Sequence, residues 1–126
     1  MIKMLLKDFY KIESSNQIDD KNYTIVVDLN KNHEVFKGHF PNNPVTPGVC
    51  MMQIIKELCE YFLNCDLQLK TASNVKFMAL INPEINSRLR LELALAQGEN
   101  EEIKVKNTTF MGETVALKLS NTYIKV

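Results

Sequence analysis

The chain has no excess charge of either sign: 15 Lys and Arg stand against 15 Asp and Glu in 126 residues. A balanced chain has no global field with which to hold nucleic acid or an anionic membrane, so neither is an expected partner. No apolar run approaches the ~18 residues that span a bilayer, so no membrane span is expected. The opening MIKMLLKDFYKIESS turns polar after a short MLL and shows no small-residue cleavage site. That argues against a signal peptide and points to the cytoplasm. Cysteine is scarce and odd in number. Cys50, Cys59 and Cys65 have no CxxC spacing, which disfavours both a disulfide framework and a zinc site and favours buried free thiols. The two histidines, His33 and His39, lack a neighbouring carboxylate cluster. No metal and no other cofactor is expected. Repeats, low-complexity tracts and linkers rich in Gly, Pro or Ser are also missing, and the length suits one domain over residues 1–126.

What is present begins with an apolar fraction of 45%, enough for a core. Residues 8–14 and 22–29 read as strands around a polar turn from Asn16 to Asn22. The second strand contains Tyr23-Thr24-Ile25-Val26-Val27, rich in β-branched and aromatic types. His33 to Phe36 reads as a short extended piece. GHFPNNPVTPG then packs three prolines and two glycines into eleven residues, which forces a shaped loop. Thr46 is the expected N-cap, with Pro47 in the first helical position and the helix running to about Leu63, stopped at Asn64. The polar residues of that helix, Gln53, Lys56, Glu57 and Glu60, fall within one arc of roughly 100°. The rest of its circumference is apolar and must be wrapped by protein. Downstream, Leu69 to Leu80 alternates and Arg88 to Leu93 alternates strictly. Glu99 to Glu102 reads as a charged turn. Ile103 to Phe110 and Thr114 to Val126 give two more strands separated at Gly112. The expected class is α+β, a curved antiparallel sheet wrapped around one long central helix.

The segment Gly38-His39-Phe40-Pro41-Asn42-Asn43-Pro44-Val45-Thr46-Pro47-Gly48-Val49 closely resembles the active-site loop of the 3-hydroxyacyl-acyl-carrier-protein dehydratases, the FabZ/FabA-like family of the hot-dog superfamily. Members read GHFPxxPxxPG here. Val75-Lys76-Phe77-Met78-Ala79-Leu80-Ile81-Asn82-Pro83 resembles the family's core strand more weakly, and the usual Pro-Gly-Asp after it is not kept. The resemblance implies a hot-dog fold. It also implies a homodimer or a higher homo-oligomer of dimers, with an acyl tunnel at the subunit interface. The substrate would arrive as an acyl-carrier-protein or coenzyme A thioester. Catalysis would pair a loop histidine of one subunit with an Asp or Glu on the central helix of the other.

Water loss from a 3-hydroxyacyl thioester needs a base at C2, a donor for the enolate oxygen and an acid for the C3 hydroxyl. On the resemblance, His39 is the base, and imidazole titrates near neutrality, which suits it to the task. Gly48 supplies the oxyanion donor from a helix start, where backbone N–H groups lack intrahelical partners and the dipole is positive. The helical acid falls five residues later, and there this chain has Gln53. An amide can orient a hydroxyl or a water but cannot give a proton as an acid does.

Three routes remain open: recruitment of Glu57, which lies ~6 Å further along the axis; both proton transfers by His39; or a site that binds or isomerises a thioester without expelling water. Phe40, Pro47, Val49 and Met52 are the expected substrate contacts, with Met51, Ile55 and Phe62 as further candidates for the acyl tunnel. Lys37, Lys56, Arg88 and Arg90 are candidates for a cationic mouth. The leading expectation is a dehydratase in fatty-acid or related lipid or polyketide-like biosynthesis. The alternatives are a catalytically degenerate acyl-binding subunit, one that could pair with an active homologue supplying the acid, or an acyl thioesterase.

Overall fold

The computed structural model describes residues 8–37 and 45–126, with the side chain of Lys37 excluded. Six strands and two helices run in the order β1 (Tyr10–Gln17), β2 (Asn22–Leu29), α1 (Glu34–Lys37), α2 (Gly48–Leu63), β3 (Leu67–Phe77), β4 (Arg88–Gln97), β5 (Glu102–Met111) and β6 (Thr114–Lys125). The strands form one sheet in the order β1-β2-β4-β5-β6-β3, and every pairing is antiparallel. The chain leaves β2 near one edge, crosses through α2, and enters β3 at the other edge.

Period-two patterning decides which sheet face meets the helix. On β4, Leu89, Leu91, Leu93 and Leu95 are buried while Arg88 and Glu92 face out. On β5, Ile103 and Val105 continue the inner face, and Asn107 and Thr109 follow them. Those two polar side chains pair internally: Asn107 Nδ2 donates to Glu92 O at 3.1 Å, and Thr109 Oγ1 donates to Asn107 Oδ1 at 2.8 Å. Met51, Ile54, Ile55, Leu58 and Cys59 of α2 close the core against Ile25, Val27, Leu91, Leu117 and Tyr123. Tight turns set the register of the last three strands. Asn100 and Glu101 both take positive φ (56° and 65°), the conformation of a two-residue hairpin whose twist matches the strands. Gly112 (φ 63°) turns β5 into β6.

Two sequence expectations need correction. His33 to Phe36 is not extended: Glu34 to Lys37 make one helical turn. The His33 ring caps it, Nδ1 accepting the Val35 N–H at 3.1 Å, while Phe36 N–H reaches His33 O at 3.1 Å. Thr46 is not the N-cap. Pro47 holds that position (φ −61°, ψ 143°), and Cys50 and Met51 both donate to its carbonyl. Thr46 is tied instead by its own N–H to Ile81 O at 2.8 Å, one residue too early to cap. The polar arc of α2 holds three buried residues, Lys56, Glu57 and Glu60. The helix does end as expected, with Asn64 in the left-handed region and its N–H returning to Glu60 O.

Candidate functional site at the start of the central helix

The start of α2 opens into an apolar groove of about 360 Å³ whose walls include Pro47, Gly48, Val49, Phe77, Ala79 and Leu80. Gly48 fits this place because the Phe77 ring leaves no room for a side chain. A Cβ there would sit 2.8 Å from Phe77 Cζ. The amides of Gly48 and Val49 precede the first intrahelical hydrogen bonds, which Cys50 and Met51 donate. They lie at the positive end of the helix dipole. Three expected site residues, Pro47, Gly48 and Val49, thus meet in one groove. His39 and Phe40 lie outside the described residues. Met52 is half-buried against the core. Met51 and Ile55 are fully buried core residues, and Phe62 stacks on Tyr23 at 4.3 Å between ring centroids.

Gln53 stands further along the helix, half-buried, and its Nε2 donates to Glu57 Oε2 at 3.0 Å. The other oxygen of that carboxylate accepts the Tyr10 hydroxyl from β1 at 2.8 Å. Burial, and then the negative charge of Glu57, push the Tyr10 phenol far above its ordinary range, so it stays a donor. Behind them Lys56 Nζ meets Glu60 Oε2 at 3.0 Å, and the same oxygen accepts Leu67 N–H at 2.8 Å. Cys59 lies beside Glu60; burial and then that charge push its thiol up to about 12.

The proposed cationic mouth does not assemble among the described residues. Lys56 is buried in its pair with Glu60. Arg88 binds Glu13 at 3.0 Å, and Arg90 lies over the Phe110 ring at 4.0 Å. A larger open hollow of about 820 Å³ lies where β1 begins and β2 ends, with Asp8, Lys11, Asp28 and Lys31 among its walls. Its mixed charges and openness suit water. The smaller groove is the one that joins the amides of a helix start to apolar walls, so it is the candidate site. Sequence reasoning missed Tyr10 and Phe77. Tyr10 is 47 positions from Glu57, so no local pattern signals it. The Gln53–Glu57 contact did leave a signal, the i,i+4 spacing.

Comparison with known proteins follows this geometry. The ApeI-like family model, described as ApeI dehydratase, matches residues 14–117. Among curated proteins, the 3-hydroxyacyl-[acyl-carrier-protein] dehydratase FabZ of Legionella pneumophila (strain Corby) is 29% identical over 106 residues, 76% of this chain and 65% of that protein. The FabZ of Levilactobacillus brevis is 28% identical over 134 aligned positions, covering 98% of this chain and 89% of that one. This chain therefore spans just under two thirds of the Legionella relative, and the likeness to FabZ is partial. Among solved structures, the dehydratase heterocomplex ApeI:P from Xenorhabdus doucetiae matches with a TM-score of 0.73 at 18% identity, over 90% of this chain and 96% of that one. A hypothetical thioesterase with coenzyme A from Streptococcus pneumoniae matches with a TM-score of 0.64 at 10% identity, over 93% and 88%.

The fold is the hot-dog fold. The expectation of a homodimer, or a homo-oligomer of dimers, served by an acyl-carrier-protein or coenzyme A thioester is corrected here. The solved relative is a heterocomplex, not a pair of identical chains. Among the described residues, no helix is long and apolar enough to cross a membrane.

Proposed function

This chain belongs to the ApeI-like family, and from that premise we propose that it is an acyl-thioester-binding hot-dog subunit. In this reading it has no enzyme activity alone and works in a heterocomplex with a different hot-dog chain. The observation that carries the reading is Gln53: an amide stands where a dehydratase needs an acid, with an N–H already committed to Glu57. His39 remains the base and the Gly48 N–H the oxyanion donor. Phe40, Pro47, Val49 and Met52 border the acyl path. The partner's helix supplies the missing acid.

A site that draws its histidine and its acid from different chains makes this division workable. His39 faces the partner's acid in one site, while Gln53 faces the partner's histidine in the other and binds without turnover. The apolar groove beside Gly48 and the exposed apolar side chains around it support the reading. So does the kinship of the fold with a thioesterase and with a dehydratase heterocomplex.

Water loss from 3-hydroxyoctanoyl-pantetheine, measured on the full chain, tests this. The wild type alone is expected to bind the thioester without turning it over. Where two copies are brought together, Gln53→Glu is expected to raise turnover by ~10²–10⁴-fold, the usual worth of a general acid, and His39→Ala should cancel that gain. Turnover by the lone wild type that disappears in His39→Ala would restore the dehydratase reading. Release of free acid would make the protein a thioesterase.

A further inference from the structure

Tyr10 and Glu57 have no part in the proposed division of labour, yet together they determine what Gln53 presents. Glu57 is only 8% exposed, and both of its oxygens are engaged. Oε1 accepts from Tyr10 at 2.8 Å, and Oε2 accepts from Gln53 Nε2 at 3.0 Å. An ionised carboxylate only accepts. The amide that faces it must therefore offer its NH₂ end and turn its carbonyl oxygen to the other side. A flipped amide would bring two acceptor oxygens within hydrogen-bonding distance and leave the buried carboxylate without that donor. The carboxylate has little freedom to follow such a flip, because the Tyr10 hydroxyl holds it from β1.

We infer that Glu57, anchored by Tyr10, is a positioning residue that fixes the Gln53 amide with its carbonyl oxygen outward. This place in the site then takes a hydrogen bond from its ligand and favours an acyl group bearing a hydroxyl over one without. The inference rests on the acyl-thioester reading and adds the polarity of the contact. One hydrogen bond of this kind corresponds to ~2–10-fold in affinity.

Two measurements on the full chain test it. The first is the ¹H–¹⁵N signal pair of the Gln53 side-chain amide, assigned by its loss in Gln53→Glu. In the wild type one proton of the pair is expected to be shifted and slow to exchange. Both properties should fall to those of exposed glutamines in Glu57→Gln, and part of the way in Tyr10→Phe. The Tyr10 variant carries the test should Glu57→Gln not fold. The second is the affinity ratio between 3-hydroxyoctanoyl-pantetheine and octanoyl-pantetheine, expected at ~2–10 in the wild type. A Gln53 pair that stays put in both variants overturns the pinning. Equal wild-type affinities overturn the inference and leave the thioester reading standing, whereas no binding of either compound ends both.

Discussion

The hollow of the sheet and its β3 edge each invert the usual sorting of polar and apolar groups. Inside, α2 buries Lys56, Glu57 and Glu60 under the strands. Outside, Val49 (77% exposed), Leu80 (69%) and Phe77 (51%) stand in solvent beside β3, at the opposite edge from β1. The interior groups have found each other: Lys56 with Glu60, and Glu57 with both Tyr10 and Gln53. Among the described residues, nothing covers the exterior ones. A buried polar group with a partner is finished structure, whereas an apolar patch left open along a sheet edge is the kind of surface that marks a candidate interface. The β1 edge shows the contrast. It exposes Lys11, Glu13, Ser14, Ser15 and Asn16, carries a bulge between Ile12 and Ser14, and suits water.

The sharpest way to break this comparison is to unpair the interior. Lys56→Met leaves Glu60 buried with its cation gone, and the expected loss is ~3–5 kcal/mol in urea unfolding, the usual effect of removing one partner of a buried pair. A loss below ~1 kcal/mol would mean the pair behaves as a surface contact.

Next is the exterior. The double variant Val49→Asp with Leu80→Asp is expected to weaken association with an acid-bearing hot-dog partner by at least ~30-fold, equivalent to ~2 kcal/mol at a hot spot. The lone chain should keep its stability. Leu80 is exposed, and an aspartate in the first turn of α2 suits the dipole. Unchanged association, followed by calorimetry, would take the interface away from this edge.

The smallest effect, within the first pH unit above ~9, is alkaline. Cys59 ionises near 9.0 when unfolded and near about 12 when folded, because burial and then Glu60 oppose the thiolate. Between those values the unfolded chain binds fewer protons. The thiol's contribution is therefore complete below pH ~9 and is lost as pH rises toward 12, at up to ~1.4 kcal/mol per pH unit. Cys59→Ala should flatten that slope, read as the pH dependence of the unfolding midpoint.

Much of the fold was legible because its cues are local. Strict alternation over Arg88 to Leu93 fixed the inner face of β4, Gly112 marked a turn, and Asn64 marked the end of α2. The near-continuous apolar girth of α2 rightly required a wrapping sheet. The burial of the polar arc was not legible, for a physical reason. Polarity at helical spacing signals a wet face only when no distant donor or cation arrives to satisfy it. Here the Tyr10 hydroxyl and the Leu67 N–H both arrive from strands. Thr46 looked like a cap by residue type, but the helix starts one residue too late for it and Pro47 holds the cap position. His33 was read as part of a short extended piece because a ring nitrogen that caps one helical turn leaves no periodic mark. The groove at Gly48 was legible as a glycine between loop and helix, yet the ring that closes on it belongs to a strand 29 positions later (48 to 77).

That ring has two neighbours of different kinds. One side of Phe77 presses on the backbone where α2 begins, and much of the rest faces outward from the sheet's margin. On the proposed reading, a chain docked on that margin would meet the ring that walls the groove. The calibre of the groove, and with it the length of acyl chain admitted, would then be set by the assembled pair and could change with the companion while this sequence stays the same.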